Sequence, residues 1–497
     1  MMKKITLLLA CSLVIGQNVF AQTDTLTYNR DITLSEAIAL ARIQSVDAAV
    51  ALNELKTAYW EYRTFRADLL PEVSFTGTLP SYNKSYSSYQ NSDGTRTFVR
   101  NNTLGLSGEL SIDQNIWFTG GTLSLTSSLD FVRQLGHGGM KQFMTVPIGL
   151  ELTQPIFGVN NLKWNRRIEP VRYAEAKAAF ISATEEVTMT AITYFFNLLL
   201  SKENLATARQ NKENADRLYE VAKAKRKMGQ ISENDLLQLR LNALQGEADV
   251  TEAESSLNAS MFQLRSFLGV SEQDNLNPVL PETVPDIRMN YQTVLSKALE
   301  RNSFAQNIRR RQLEADYEVA TAKGNLRSIN LFASIGYTGQ NNHFKSSYKD
   351  LLDNQIVEIG VSIPILDWGK RRGQVKVAQS NREVVRSQIR QEQMNFNQNI
   401  FLLVENFNNQ AQQLNIAEEA DRIAERRYRT SVETFMIGRI STLDLNDAQN
   451  SKDEARQKHI SELYYYWYYF YQLRSLTLWD FVNNTELEAD FEEVVRR

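Results

Sequence analysis

The sequence predicts an α+β membrane protein, internally duplicated from one helix–strand–strand–helix repeat. Three observations carry that expectation. A turn pattern occurs twice: Tyr219, Gly229, Ile231, Ser232, Asp235 and Leu236 stand at the same offsets as Tyr428, Gly438, Ile440, Ser441, Asp444 and Leu445. Upstream, Gln154-Pro155-Ile156-Phe157-Gly158 answers Ile363-Pro364-Ile365-Leu366-Asp367-Trp368-Gly369, and Leu34-Ser35-Glu36-Ala37-Ile38 answers Tyr291-Gln292-Thr293-Val294-Leu295. A repeat this long is not a solenoid unit but a duplicated fold with pseudo-symmetry. Finally, short segments of strand-like alternation are interleaved with proline-free stretches long enough for very long helices.

In chain order, residues 1–21 read as a signal peptide: Lys3 and Lys4, an apolar run, then Val19-Phe20-Ala21 before Gln22. Leu8-Leu9-Ala10-Cys11 offers a rival, a lipoprotein cleavage box, but the apolar run before Cys11 is short and continues past it. Cys11 is the single cysteine, so a chain cleaved after Ala21 has no disulfide scaffold. Residues 22–277 form the first repeat, 278–290 a linker holding Pro278, Pro281 and Pro285, 291–480 the second repeat and 481–497 a tail.

Pro71 ends the first helix and Pro170 stands near the start of the next. No proline falls within 171–277 or from 365 to the end. Residues 171–228 and 370–437 therefore read as uninterrupted helices, each roughly 100 Å long at ~1.5 Å per residue. Their apolar positions step by three and four: Ala191, Tyr194, Leu198, Leu205, Ala208, Ala215, Leu218 and Ala222, then Val404, Phe407, Ala411, Leu414, Ala417, Ala424, Tyr428 and Phe435. Such stripes are coiled-coil seams, and helices of this kind need lateral neighbours.

The strand-like segments fall within 72–157 and 327–366. Segments 72–80, 103–117, 121–133 and 146–157 in the first half, and 329–337 and 357–363 in the second, alternate apolar with polar residues. Ser81 to Asn102 and Gln340 to Gln355 read as polar loops. Strands of this length and pattern match outer-membrane barrels; a soluble antiparallel sheet with one buried face shows the same alternation. No helical segment reaches the ~20 apolar residues of a membrane span, so any membrane entry must be as a β-barrel. The net charge of −3 leaves no nucleic-acid footprint.

With those features in hand, the chain resembles the TolC family of bacterial outer-membrane efflux proteins over roughly residues 30–480. The Pro-Ile-Phe and Pro-Ile-Leu junctions and the paired Gly…Asp-Leu turns carry the resemblance. It implies a homotrimer with one shared transmembrane β-barrel, continuous with a long periplasmic α-helical barrel. It also implies an outer-membrane location extending into the periplasm, contact with outer-membrane lipid, and a passive exit duct. The expected partners are a periplasmic adaptor and an inner-membrane pump of the RND or ABC type, in a tripartite efflux or type I secretion system. No cofactor or metal is implied. The familiar barrel takes four strands per protomer, twelve in all; here the hairpin 103–133 is extra, and it either widens the barrel or ornaments its rim. Phe118-Thr119-Gly120-Gly121 looks like a third junction.

Within the turns, Gly229 and Gly438 end helices in a left-handed conformation, and Ser232 and Ser441 cap the next helices, with Asp235 and Asp444 closing capping boxes. By resemblance, Asp444 and Asp447 match the acidic ring that constricts the pore. Asp235 matches an acid that holds the tip shut. The family's lock tyrosine and arginine are replaced by Phe435 and Ile440, with Arg439 the nearest substitute. Met228, Gly229, Gln230, Ile437, Gly438 and Arg439 are the expected adaptor-docking turns. The aromatic run Tyr464 to Tyr471 reads as interior packing, with a membrane belt as its rival. His137, His343 and His459 lack ligand spacing, and no nucleophile or phosphate-loop motif supports an enzyme. The alternative is a periplasmic coiled-coil scaffold or adaptor with a soluble β-sheet.

Overall fold

The computed structural model describes residues 29–135, 139–271, 274–281, 284–362, 365–437, 439–487 and 489–496. The expected signal peptide with Cys11, His137, the Ile363-Pro364 part of the second junction and Gly438 lie outside the described residues. In chain order the elements are β1 (Asn29–Ile32), α1 (Leu34–Gln44), α2 (Val46–Ala67), β2 (Glu72–Gln90), β3 (Arg96–Ile116), β4 (Gly121–Gln134), β5 (Lys141–Pro155), α3 (Asn161–Lys227), α4 (Glu233–Leu268), β6 (Asn275–Pro278), α5 (Tyr291–Arg301), α6 (Ser303–Gly324), β7 (Ser328–Asn341), β8 (Leu352–Ser362), α7 (Lys370–Met436), α8 (Thr442–Thr477), β9 (Trp479–Asp480), β10 (Thr485–Glu486) and α9 (Phe491–Arg496). The chain divides into two compact units that cut across the two sequence repeats.

Among the described residues, one unit takes 29–45, 191–284 and 427–457. Thr33 and Glu36 form a capping box that starts α1, and Leu34, Ala37, Ile38 and Ala41 turn its buried face inward. Ile192, Phe195, Leu198 and Leu199 of α3 and Leu264 and Leu268 of α4 are buried with it. β1 pairs in parallel with β6, an element the linker prolines hid from sequence reading. Gly246 on α4 lets the helix backbones approach, since a Cβ there would stand 3.2 Å from Lys212 Cα of α3.

The other unit takes residues 46–190, 285–426 and 458–497. Its helical core sets Phe407 of α7 against Tyr466 and Phe470 of α8, with ring centroids 5.3 and 6.3 Å apart. Tyr466, Phe470 and Leu473 are buried, so the aromatic run packs inward on that face. α5 and α6 meet at Asn302, which is extended and accepts from Phe304 N–H at 2.8 Å, while its amide donates to Leu476 O at 2.8 Å.

The same unit holds one six-stranded antiparallel sheet in the order β2-β3-β4-β5-β7-β8. One alternative left open by the sequence is decided here and one expectation is corrected. The hairpin 103–133 lies inside the sheet, which has six strands where the resemblance alone implied four. Most of the polar stretch 81–102 is strand, paired from Ser81↔Gly105 out to Gln90↔Arg96. A further difference concerns Pro170, which lies inside α3; that helix begins at Asn161, ten residues before the proline-based boundary. No described helix is long and apolar enough to cross a membrane.

Candidate functional site

The turn between α3 and α4 is built from short-range bonds. Gly229 sits at φ +75°, where Gly229 N–H donates to Arg226 O at 2.9 Å and Gln230 N–H to Lys225 O at 3.0 Å. A glycine accepts that left-handed geometry without a Cβ clash. Ser232 then caps α4: Asp235 N–H donates to its Oγ at 3.1 Å, and the Ser232 hydroxyl and N–H donate to Asp235 Oδ2 at 2.7 and 3.2 Å. Arg226 reaches across the turn to Glu233 at 3.2 Å. The turn between α7 and α8 repeats this design. Arg439 N–H closes on Thr434 O at 3.1 Å, and Ser441 and Asp444 exchange bonds of 3.2, 2.7 and 3.1 Å. The Ser441 hydroxyl, then its N–H, and more weakly Arg427, hold the Asp444 carboxyl below its ordinary range.

The two helical hairpins meet through an apolar cluster. Leu218, Ala222, Leu239, Tyr428, Leu445 and Ala448 are buried, with Tyr219, Leu236, Val432, Phe435 and Ile440 packed against them. Phe435 and Ile440, standing where the family's lock residues are polar, are thus packing residues here. Around the cluster, Asn214 donates to the Tyr428 hydroxyl at 3.0 Å. Buried Lys452 lies 3.1 Å from Asp453 and 4.6 Å over the Tyr428 ring, and Asn211 donates to Asp453 at 2.7 Å. A groove of about 570 Å³ opens beside the turns, lined in part by Val221, Lys225, Gln230, Asp235 and Ile437. Met228 and Ile437 are 63% and 66% exposed, so both turns present apolar side chains to their surroundings.

Of the acids singled out by sequence, Asp235 and Asp444 are helix caps within the protomer. Asp447 is exposed and ion-paired with Arg427 of α7 at 2.5 Å. Sequence reasoning missed Arg427, because it lies twenty residues away on an antiparallel helix and no local spacing links the two. No ion pair joins Asp235 to Arg439 among the described residues.

The sheet presents two chemically opposite faces, read from its register. One carries Val73, Phe75, Leu110, Ile112, Leu123, Leu125, Phe131, Leu150, Leu331, Ile335, Val357, Ile359 and Val361. Phe75, Leu110, Ile335, Val357 and Ile359 of this face are exposed. The other is mainly polar: it carries Ser, Thr and Asn together with Glu72, Glu109, Asp113, Asp130, Glu151 and Glu358, with Val132, Met144, Val146, Phe332 and Ile356 among them, and no lysine or arginine among the described residues. At the helix-proximal strand ends, Trp117, Phe118, Phe157, Leu366 and Trp368 are exposed, Arg166 stacking 3.9 Å over Trp117. This aromatic edge, not the run 464–471, matches an interfacial belt.

A family model described as Outer membrane efflux protein matches residues 118–270 and 294–476. No functionally curated protein matches the chain. Among solved structures, the chain is similar to the CmeC outer membrane channel of Campylobacter jejuni, at 16% identity over 93% of this chain and 88% of that one, with a TM-score of 0.66. It is similar to the outer membrane protein VceC of Vibrio cholerae, at 15% identity over 92% and 97%, TM-score 0.62. The open-state MtrE outer membrane channel of Neisseria gonorrhoeae gives 14% identity over 89% and 88%, TM-score 0.56.

Proposed function

The chain belongs to the outer membrane efflux protein family, and from that premise we propose that three copies form the passive exit duct of a tripartite efflux or type I secretion system. The observation that carries this reading is the sheet: one face apolar and exposed, the other mainly polar, both edges unpaired. A soluble scaffold would leave that apolar face in water, whereas a barrel wall turns it to lipid. Residues 123–131, the outward apolar stretch of β4, rise about 27 Å at ~3.4 Å per residue, or about 20 Å when tilted by ~40°. That is close to the ~25 Å apolar band of such barrels.

The edges β2 and β8 run in opposite directions, because each protomer adds an even number of antiparallel strands. The β8 edge of one copy can therefore pair with the β2 edge of the next without breaking the alternation, which removes every free edge. Three six-stranded sheets make an eighteen-stranded wall. At ~4.8 Å per strand and ~40° tilt its diameter is about 36 Å, against about 24 Å for twelve strands. The helices support the same assembly. Leu237, Leu241 and Leu244 on α4, and Val377, Val384, Ile416 and Ile423 on α7, are exposed at helical and heptad steps, as seams awaiting lateral neighbours.

The turns at Gly229 and Gly438 are the docking and gating tips. Asp444 and Asp447 form the constriction, and Asp235 with Arg439 contributes to closure between protomers. A pump and adaptor splay these tips; the energy comes from the inner-membrane partner. The direct test is single-channel conductance of the detergent-purified protein in a planar bilayer, wild type beside Asp444→Asn/Asp447→Asn. A small cation-selective conductance that rises in the variant supports the gated duct. Equal conductance in both leaves Asp444 a helix cap and Asp447 an ion-pair partner of Arg427, and a protein that stays soluble without detergent and never inserts overturns the duct.

A further inference from the structure

We propose that the outward face of the sheet carries a docking strip for phosphate-bearing lipid headgroups of the outer leaflet, centred on Arg100, Arg133 and Lys141 and extended by Lys84 and Arg96. The proposal rests on the reading of the sheet as a barrel wall.

The strip follows from register. On the apolar face, the row Tyr82–Leu104–Arg133–Lys141 is where the apolar band ends on the side away from the helices. Beyond it the same face of the β2–β3 hairpin bears Lys84↔Asn102, Tyr86↔Arg100, Ser88↔Phe98 and Gln90↔Arg96. Every charged group on this face of β2 to β5 is a base, and all are exposed. Across the whole face the one acid is Asp353 of β8. The acids of β2 to β5 lie on the opposite face, turned away and unable to neutralise these cations.

Arg133 and Lys141 are direct cross-strand partners. Like charges in that position repel, and among the described residues neither has an ion-pair partner. The arrangement calls for an external anion. Its place selects the source: the bases stand immediately past the apolar band, interleaved with Tyr82, Tyr86 and Phe98, and next to the Phe131–Phe143 ring pair at 4.9 Å. Aromatic rings above an apolar wall mark the headgroup level. A ligand that meets this strip has acyl chains against the wall and phosphate at the level of the bases, which describes a membrane lipid and not a free anion.

The experiment uses full-length protein reconstituted in phosphatidylcholine nanodiscs and titrated with bisphosphorylated lipid A, with bound lipid counted by native mass spectrometry. Arg100→Gln/Arg133→Gln/Lys141→Gln is expected to weaken retention roughly a hundredfold, from ~1 kcal/mol per base near a charged surface. Equal retention by wild type and variant overturns the strip. Inorganic phosphate that competes lipid A off at millimolar concentration also overturns it, because the site would then be a plain anion site. If the triple variant does not insert, Arg133→Gln alone decides, with an expected loss of roughly fivefold and no loss overturning the proposal. Bilayer conductance of the same samples separates this failure from that of the duct: normal conductance with equal retention removes the lipid strip only, and no conductance in wild type removes both.

Discussion

At the scale of single residues, the tip is held by bonds that the sequence announces. Ser-x-x-Asp after a glycine reads directly as a capped helix start, and both caps form. Ser232→Ala is expected to cost about 1 kcal/mol, measurable as earlier exposure of the first turn to protease on heating. Gly229→Ala places a Cβ at φ +75° and is expected to cost about 1–2 kcal/mol. Asp444 carries a pH signature. Its carboxyl titrates below the ordinary aspartate value because the charged form accepts from Ser441. The stabilisation is therefore complete above the ordinary value near 3.8 and is lost as pH falls through the lower folded-state value. Proteolysis of the second turn should be flat from pH 7 to about 4, rise in stronger acid, and lose that rise in Asp444→Asn. The Arg427–Asp447 pair was illegible because only the packing of α7 on α8 creates it. If the pair lines the pore, Arg427→Ala raises cation selectivity and Asp447→Asn lowers it, as read from reversal potentials; unchanged potentials in both take the pair out of the conduction path.

At the scale of elements, long helices were the easiest to read and strand ends the hardest. The apolar stripe with no proline gave α7 within a residue of its observed end, because a helix repeats its pattern over many turns. Residues 82–101 failed as strand by pattern because this hairpin lies past the apolar band, where neither face needs to be greasy; its Tyr, Ser and Asn residues resemble a loop. Pro170 misled for the opposite reason, since neighbouring helices tolerate one missing donor inside α3. Close packing gives the sharpest element-level prediction. Gly246→Leu forces α4 off Lys212 of α3, an overpacking expected to cost about 1–3 kcal/mol and to appear as a lower thermal midpoint by circular dichroism. Replacing residues 83–102 by a two-residue turn should leave conductance within about twofold, because the excised strands hydrogen-bond only to each other over most of their length, while it removes Lys84, Arg96 and Arg100 from the lipid strip.

At the scale of the whole molecule, the duplication was legible but its inequality was not fully so. Alternation counted four strand segments in the first half and two in the second; pairing decided that all six share one sheet. Sequence could show that the helices lacked partners, but not which surface meets which, since in the proposed assembly those seams are completed by other copies. Cysteine pairs placed along β2 and β8 test the closure against a background whose one native cysteine is Cys11. Oxidation is expected to give dimers and trimers on a denaturing gel when the two edges of neighbouring copies meet, and monomer at every position would leave the edges unpaired.

One consequence concerns how such a wall can change in evolution. A lone strand added to each protomer would set two neighbours parallel and jam the ring, so growth must come by hairpins. Under threefold symmetry one duplicated hairpin in the gene adds six strands at once and widens the ring by about 12 Å. The bore of these ducts is therefore quantised. The Phe118-Thr119-Gly120-Gly121 turn, which resembles the two strand-to-helix junctions, is the scar expected of one such step.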